Sequence, residues 1–329
     1  MLKHSEIIAH WLSQIPPQSI PKLFGSGAQK LITAAQEYDL ELTKYNALVE
    51  IPLSGAPGAD ISFCFWKKLL EKTSFTTPQL QKLSPLMRHL LQFLQDEEMV
   101  FLELDTASLE GKNKLPSIFW DCATGQDKIW DGLWAPGGAP RQWEQAKDLC
   151  KSIPKEWQLY HLGFMPGRSN APLRLIFTLR EDDSCSFNNA KELLNSLDYK
   201  DIPLDMKNKL QTAAELGYLN WGIDLDLEPD GTLGNTLGAE IIGLTSEIPP
   251  AHSLTHPNAV KMFRRLQDWG LANELWQELQ NCAGEFVIAP AWTSSKGMLW
   301  VFLNHFKLRW IKGEPQVAKA YLGLLSENE

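Results

Sequence analysis

Trp157 to Arg180, WQLYHLGFMPGRSNAPLRLIFTLR, is the stretch whose reading decides the fold. It divides into two extended runs joined by Pro166-Gly167-Arg168-Ser169-Asn170, residues with turn chemistry. In the second run Leu173, Leu175, Phe177 and Leu179 point one way. Arg174, Ile176, Thr178 and Arg180 point the other, the two-residue period of a half-buried strand. A helical stretch follows. The unit is a hairpin and then a helix.

Similar units lie on both sides of it. Ala47 to Leu53 and Asp60 to Trp66 flank the Gly- and Pro-rich turn 54–59. Met99 to Asp105 pairs with Leu115 to Asp121, Tyr218 to Leu227 with Leu237 to Leu244, and Glu285 to Ala289, the weakest run, with Met298 to Trp310. Helices are predicted near 5–15, 27–42, 77–95, 140–150, 188–197, 204–216, 257–269, 271–282 and 316–325. Thr77-Pro78 and Pro257 supply helix-start signals. Hairpins thus begin near 45, 99, 157, 218 and 285, an internal repeat of supersecondary structure.

The loops within pairs are too short for parallel crossovers, so the strands are antiparallel. The fold class expected is α+β: hairpin-plus-helix units closing into a roughly ten-stranded barrel ringed by helices, which removes exposed edges. Residues 1–329 would form one such barrel domain, with 1–44 a helical lead-in. The competing arrangement is two α+β domains divided near 183–187.

Each pair has an apolar face and a face with ionisable groups. Val49, Ile51 and Phe63 oppose Glu50, Asp60 and Cys64; Trp221, Ile223 and Leu225 oppose Asn220, Asp224 and Asp226; Phe306, Leu308 and Trp310 oppose His305, Lys307 and Arg309. A sheet with one wet face explains this simply. A lumen holding a charged ligand also explains it, and accounts for Phe101, Phe119 and Ile176 on the polar side.

The chain has 329 residues, a formal charge of -9, thirteen Trp and fourteen Phe. The mixed, acidic balance argues against nucleic acid and against an anionic membrane surface as partners. The five cysteines are scattered and show no CxxC spacing, as reduced thiols of a cytoplasmic protein would. No signal-peptide h-region and no membrane-length apolar run is present, so a cytoplasmic protein is expected.

His305, Lys307 and Arg309 on one strand face, with Arg168 and Arg174 on the central hairpin, can cradle a diphosphate or form a solvated edge. Glu103, in VFLELD, can accept a proton or hydrogen bond from an indole or phenol, or can serve as the ion-pair partner of Lys307 or Arg174. Asp224, Asp226 and Glu228 alternate on one face; three oxygens there can hold Mg²⁺, but such a run is more often an exposed strand face. Glu240 lies on the polar side of its strand. His252 and His256 read as loop residues and no metal site is expected. GTLGNTLG at 231–238 reads as a hairpin loop, not a phosphate loop.

The repeated unit resembles the αββα barrel of aromatic prenyltransferases, including bacterial enzymes that prenylate cyclised peptides. HLGF from His161, LRLIF from Leu173, NWGIDLDLE from Asn220 and FKLRW from Phe306 are similar to family strands, and the likeness spans residues 45–325. It implies a solvent-filled chamber, a prenyl diphosphate held by Lys and Arg, aromatic residues shielding an allylic cation, and an early-strand acid orienting an aromatic or peptide acceptor. Carried over, Glu103 matches that acid, and Arg174, Lys307 and Arg309 the diphosphate contacts. Arg168, Asp224, Glu240 and His305 are further substrate-binding candidates. The chain departs from the family in its acidic strand faces (Glu50, Asp60, Asp105, Asp224, Glu240) and its six tyrosines. Two other uses of the barrel follow: a non-catalytic peptide- or ligand-binding accessory protein for peptide maturation, or an enzyme using Glu103 and Asp105 as acid and base.

Overall fold

The computed structural model describes residues 2–39, 41–42, 44–67, 78, 81, 99–105, 116–122, 140–167, 170–180, 186–218, 220–242, 248–288 and 297–328. β1 (Leu2–Lys3) and β2 (Glu41–Leu42) form a small ladder of their own. The large sheet contains β3 (Lys44–Pro52), β4 (Asp60–Trp66), β5 (Met99–Leu104), β6 (Ser117–Asp121), β7 (Trp157–Phe164), β8 (Leu173–Leu179), β9 (Asn220–Leu227), β10 (Leu233–Ile242), β11 (Gly284–Ile288), β12 (Gly297–Ile311) and β13 (Glu314–Asn328).

Neighbours pair antiparallel in the order β10-β9-β8-β7-β6-β5-β4-β3-β13-β12. A further pairing of β10 with β12, from Thr236↔Ile311 to Ile242↔His305, joins the two ends. Ten strands therefore close a barrel, as the hairpin repeat predicts. β11 is outside the ring and pairs with the first third of β12, Gly297 to Val301.

The strand faces divide as their alternation requires. Val49, Phe63, Leu102, Ile223 and Leu308 are fully buried in the core between sheet and helices. A second, smaller apolar cluster of Cys64, Phe101, Phe119, Met165 and Ile176 is on the inner face. The helices dock by side chains that repeat every three to four residues. In helix Pro257–Asp268 the buried set is Ala259, Met262, Phe263 and Leu266, one apolar stripe. Phe263 meets Phe306 of β12 edge-on at 4.9 Å and stacks on Trp276 at 5.4 Å. Gln142, from helix Pro140–Ser152, donates to the Leu227 carbonyl at the end of β9 at 2.7 Å. Among the described residues no helix is long and apolar enough to cross a membrane.

Several expectations need correction. The segment predicted as a terminal helix, 316–325, is the middle of β13. Its Ala, Lys and Leu favour helix locally, but the barrel needs a strand between β12 and β3, and tertiary pairing wins. Pro315 is accommodated because the register shifts there, between Arg309 and Trp310. The fifth barrel hairpin is thus β12–β13, turning at Lys312 (φ 52°) and Gly313 (φ 77°), the backbone of a primed hairpin turn. Helix 27–42 ends at Glu37, and 271–282 retains only Trp276–Leu279 as helix. Gly234 and Gly238 belong to β10, not to a hairpin loop. Most of the helix expected at 77–95 lies outside the described residues.

A Cβ at Gly163 of β7 would stand 2.2 Å from the Phe119 ring on β6, whereas one at Gly58 meets nothing within 4 Å. Gly163→Ala is expected to cost about 1–3 kcal/mol through overpacking and to lower the thermal midpoint, with Gly58→Ala near neutral. Equal melting curves for the two variants would contradict this placement of Phe119.

Candidate functional site

The inner face lines a partly open cavity of about 80 Å³, walled by aromatic and ionisable residues including Phe101, Glu103, Phe119, Arg174, Glu240 and Lys307. That is room for several waters. Each side chain points inward because strand alternation puts its neighbours, such as Leu102, Leu175 and Leu308, into the outer core.

A belt of ion pairs crosses this chamber. Arg174 of β8 makes a two-pronged contact with Asp226 of β9, at 2.7 Å from Nε and 3.0 Å from Nη2. Its Nε is also 3.4 Å from Asp224. Lys307 of β12 is 3.1 Å from both Asp224 and Glu240. Beside it, on the next strand, Lys319, which is directly opposite Lys307 in register, and the Tyr321 hydroxyl, both of β13, donate to Glu50 of β3. Asp224 is only 1% exposed, and Arg174 and Lys307 6% each. Ions so buried persist only when paired.

Burial works against the charge of Lys307, but Asp224 and Glu240 outweigh it and hold its pKa above the ordinary value. Burial likewise disfavours the Glu240 carboxylate, yet Lys307, His305 and His161 bring it down to about 2. Glu50 is brought to about 2 against the same burial penalty, chiefly by Lys319. His305 is pushed down to about 4, mainly by burial.

Gly238 makes the belt sterically possible. A Cβ there would stand 1.6 Å from Asp224 Oδ1, so only glycine lets this carboxylate lie across β10.

Of the sequence-predicted residues, Glu103, Arg174, Glu240, His305 and Lys307 line the chamber, and Asp224 bonds to two of them. Glu103 adds to the field that keeps Arg174 charged. Arg309 shares the inward face of β12 with Lys307 but lies beyond the chamber lining. It makes no ion pair among the described residues, and its Nε is buried with no hydrogen-bond partner among them. Arg168 lies outside the described residues. Among the described residues no three His, Cys, Asp or Glu side chains converge to hold a metal; Asp224 and Asp226 grip Arg174 and Lys307 instead.

Strand alternation alone does not reveal Glu50–Lys319–Tyr321, because residues 316–325 have the local composition of a helix, and it does not reveal the role of His161. His161 Nε2 is 2.7 Å from Asp121 Oδ1, while Asp121 Oδ2 accepts the Met99 backbone N–H at 2.8 Å. The inward position of His161 in the HLGF run was its one available signal.

No protein-family model matches this chain, and no curated protein does. Solved structures do. NotF, in complex with brevianamide F and DMSPP, is 8% identical with a TM-score of 0.50, covering 98% of this chain and 92% of that one. AnaPT from Neosartorya fischeri is 13% identical with a TM-score of 0.44, covering 86% and 77%. At such identities the likeness is one of fold.

Two outcomes test the belt. Lys307→Met leaves Glu240 buried without its cation and Asp224 with Arg174 alone, and is expected to cost about 3–5 kcal/mol at pH 7, a deficit that shrinks as pH falls and the orphaned Glu240 carboxylate protonates. A pH-independent deficit in urea melts would contradict the pairing. In the wild type, Glu50 and Glu240 have folded pKa values of about 2, below the ordinary 4.5. Their stabilisation is complete above about pH 4.5 and is lost as pH falls towards 2. His305, lowered from 6.5 to about 4, loses its share between those values, so stability should decline from about pH 6.5 downwards.

Proposed function

We propose that this chain, built on the αββα barrel of the aromatic prenyltransferases, transfers a prenyl group from a prenyl diphosphate to an aromatic or peptide acceptor in natural-product biosynthesis. The observation that supports the reading best is the juxtaposition, in one chamber, of Arg174 and Lys307 with the apolar cluster of Phe101, Phe119 and Ile176, Arg309 lying beyond the lining on the same strand face as Lys307. A diphosphate needs the cations, and a prenyl chain and its allylic cation need the apolar wall.

In this reading the diphosphate approaches Arg309 first, since Arg174 and Lys307 are already held by carboxylates. The prenyl chain lies along Phe101 and Phe119, and Glu103 orients the acceptor. Binding of a prenyl chain and an acceptor expels water from the chamber. Rate enhancement then comes from holding donor and acceptor together and screening the cation.

The acid excess of the wall favours a second reading. Arg174, Lys307 and Lys319 face four directly bonded carboxylates, Glu50, Asp224, Asp226 and Glu240. Such a wall suits a non-catalytic barrel that holds a basic peptide.

Calorimetric titration with geranyl diphosphate, with and without Mg²⁺, separates the two. Prenyl transfer requires saturable binding, weakened about 10- to 100-fold in Arg309→Ala by loss of charge-assisted hydrogen bonds. No binding in either buffer, together with saturable binding of a lysine-rich peptide, would overturn it in favour of the second reading.

A further inference from the structure

Among the described residues, one ring nitrogen of His305 has no hydrogen-bond partner. Its ring is 7% exposed, lines the chamber and stacks on Tyr321 with centroids 4.0 Å apart and planes 17° from parallel. Nδ1 is 2.7 Å from the Asn304 side-chain oxygen. That oxygen accepts, so Nδ1 carries the hydrogen and Nε2 keeps its lone pair. Nε2 is buried and has no hydrogen-bond partner among the described residues. Tyr321, the stacking partner, is itself fixed by its hydrogen bond to Glu50. Plane and tautomer are thus both set, and among the described residues nothing occupies the basic atom.

We infer that His305 Nε2 receives the proton of the acceptor substrate, which is therefore an aromatic ring bearing an N–H or a phenolic O–H. The inference rests on the prenyl-transfer reading for its chemical step. As a ring π pair forms the new bond to the allylic carbon, the C–O bond to diphosphate breaks and its electrons leave with the diphosphate. The N–H or O–H bonding pair moves into the ring system, and the proton passes to Nε2. The imidazolium then returns the proton to water.

Glu103 is less suited to this step. It is engaged in interactions of its own and already acts on Arg174 and Tyr321. His305 is uncharged at neutral pH because burial depresses its pKa, so it does not repel an allylic cation. Its weak basicity suffices, since a ring that has just gained a cation is a strong acid. The groups acting on it are Glu240 of β10 and Glu50 of β3, which favour the imidazolium, and Lys307 of β12 and His161 of β7, which oppose it.

The test compares indole with 1-methylindole, which lacks the transferable hydrogen, as ligands of the full chain, in the wild type, His305→Phe and His305→Gln. Phe keeps the stack and loses the lone pair; Gln restores an acceptor oxygen. The wild type should bind indole about 10-fold more tightly than 1-methylindole. His305→Phe should lose that preference and His305→Gln recover part of it, with the histidine Nε2 nitrogen resonance moving only on addition of indole. No preference in the wild type, whether both bind or neither does, or a preference that survives in His305→Phe, overturns the inference. Turnover with geranyl diphosphate is followed in parallel. Product without the indole preference removes His305 and leaves prenyl transfer standing. Preference without product keeps His305 as the ligand contact and removes the transfer.

Discussion

The rest of the barrel depends on the pairing of Lys307 with Glu240 and Asp224. Lys307 is on β12 and Glu240 on β10, directly opposite across the seam where the ring closes. Asp224 extends the same contact to β9, and its other neighbour, Arg174, extends it to β8. Four successive strands are therefore joined on the inner face by charges that are buried and cannot be abandoned singly. Removing one leaves an uncompensated ion in a low-dielectric interior, a far larger penalty than losing an exposed salt bridge. The second set, Glu50 with Lys319 and Tyr321, does the same between β3 and β13, so both ends of the strand series are secured.

This arrangement fixes what the chamber can do. Arg174 and Lys307 are held charged and Glu50 and Glu240 ionised, so the wall is polar without being free. Arg309 shares the inward face of β12 with His305 and Lys307, by the same alternation, and makes no ion pair among the described residues. Phe101 and Phe119 form the apolar part of the inner face, with the Phe119 ring packed against Gly163. Polar atoms without partners are then the places where a ligand gains most, because they have already lost water and gained nothing in return.

Much of the fold was legible from alternation. Residues with a two-residue period and a wet inner face, such as Leu173 to Leu179 and Asn220 to Leu227, fell where expected, and the apolar residues on the inner face, Phe101, Phe119 and Ile176, correctly signalled a chamber. β13 was not legible. VAKAYLGLL has the composition of a helix, and the Lys312-Gly313 turn lacks the Asn or Asp that usually marks a primed hairpin. Losing that strand hid Lys319, Tyr321 and hence the partner of Glu50. The ion pairs were only half legible. Inward direction follows from spacing along one strand, but partnership depends on strand order and register, which bring Gly238 beside Asp224 and Glu240 opposite Lys307. Short-range sequence does not encode these.

The most direct measurement is a crystal structure of the protein with a thiolodiphosphate analogue of geranyl diphosphate. The expected result is diphosphate oxygens about 3 Å from Arg309, with the prenyl chain against Phe101 and Phe119 and the Lys307–Glu240–Asp224 contacts intact. Analogue bound outside the barrel, or no analogue at saturating concentration with Arg309 unmoved, would contradict it.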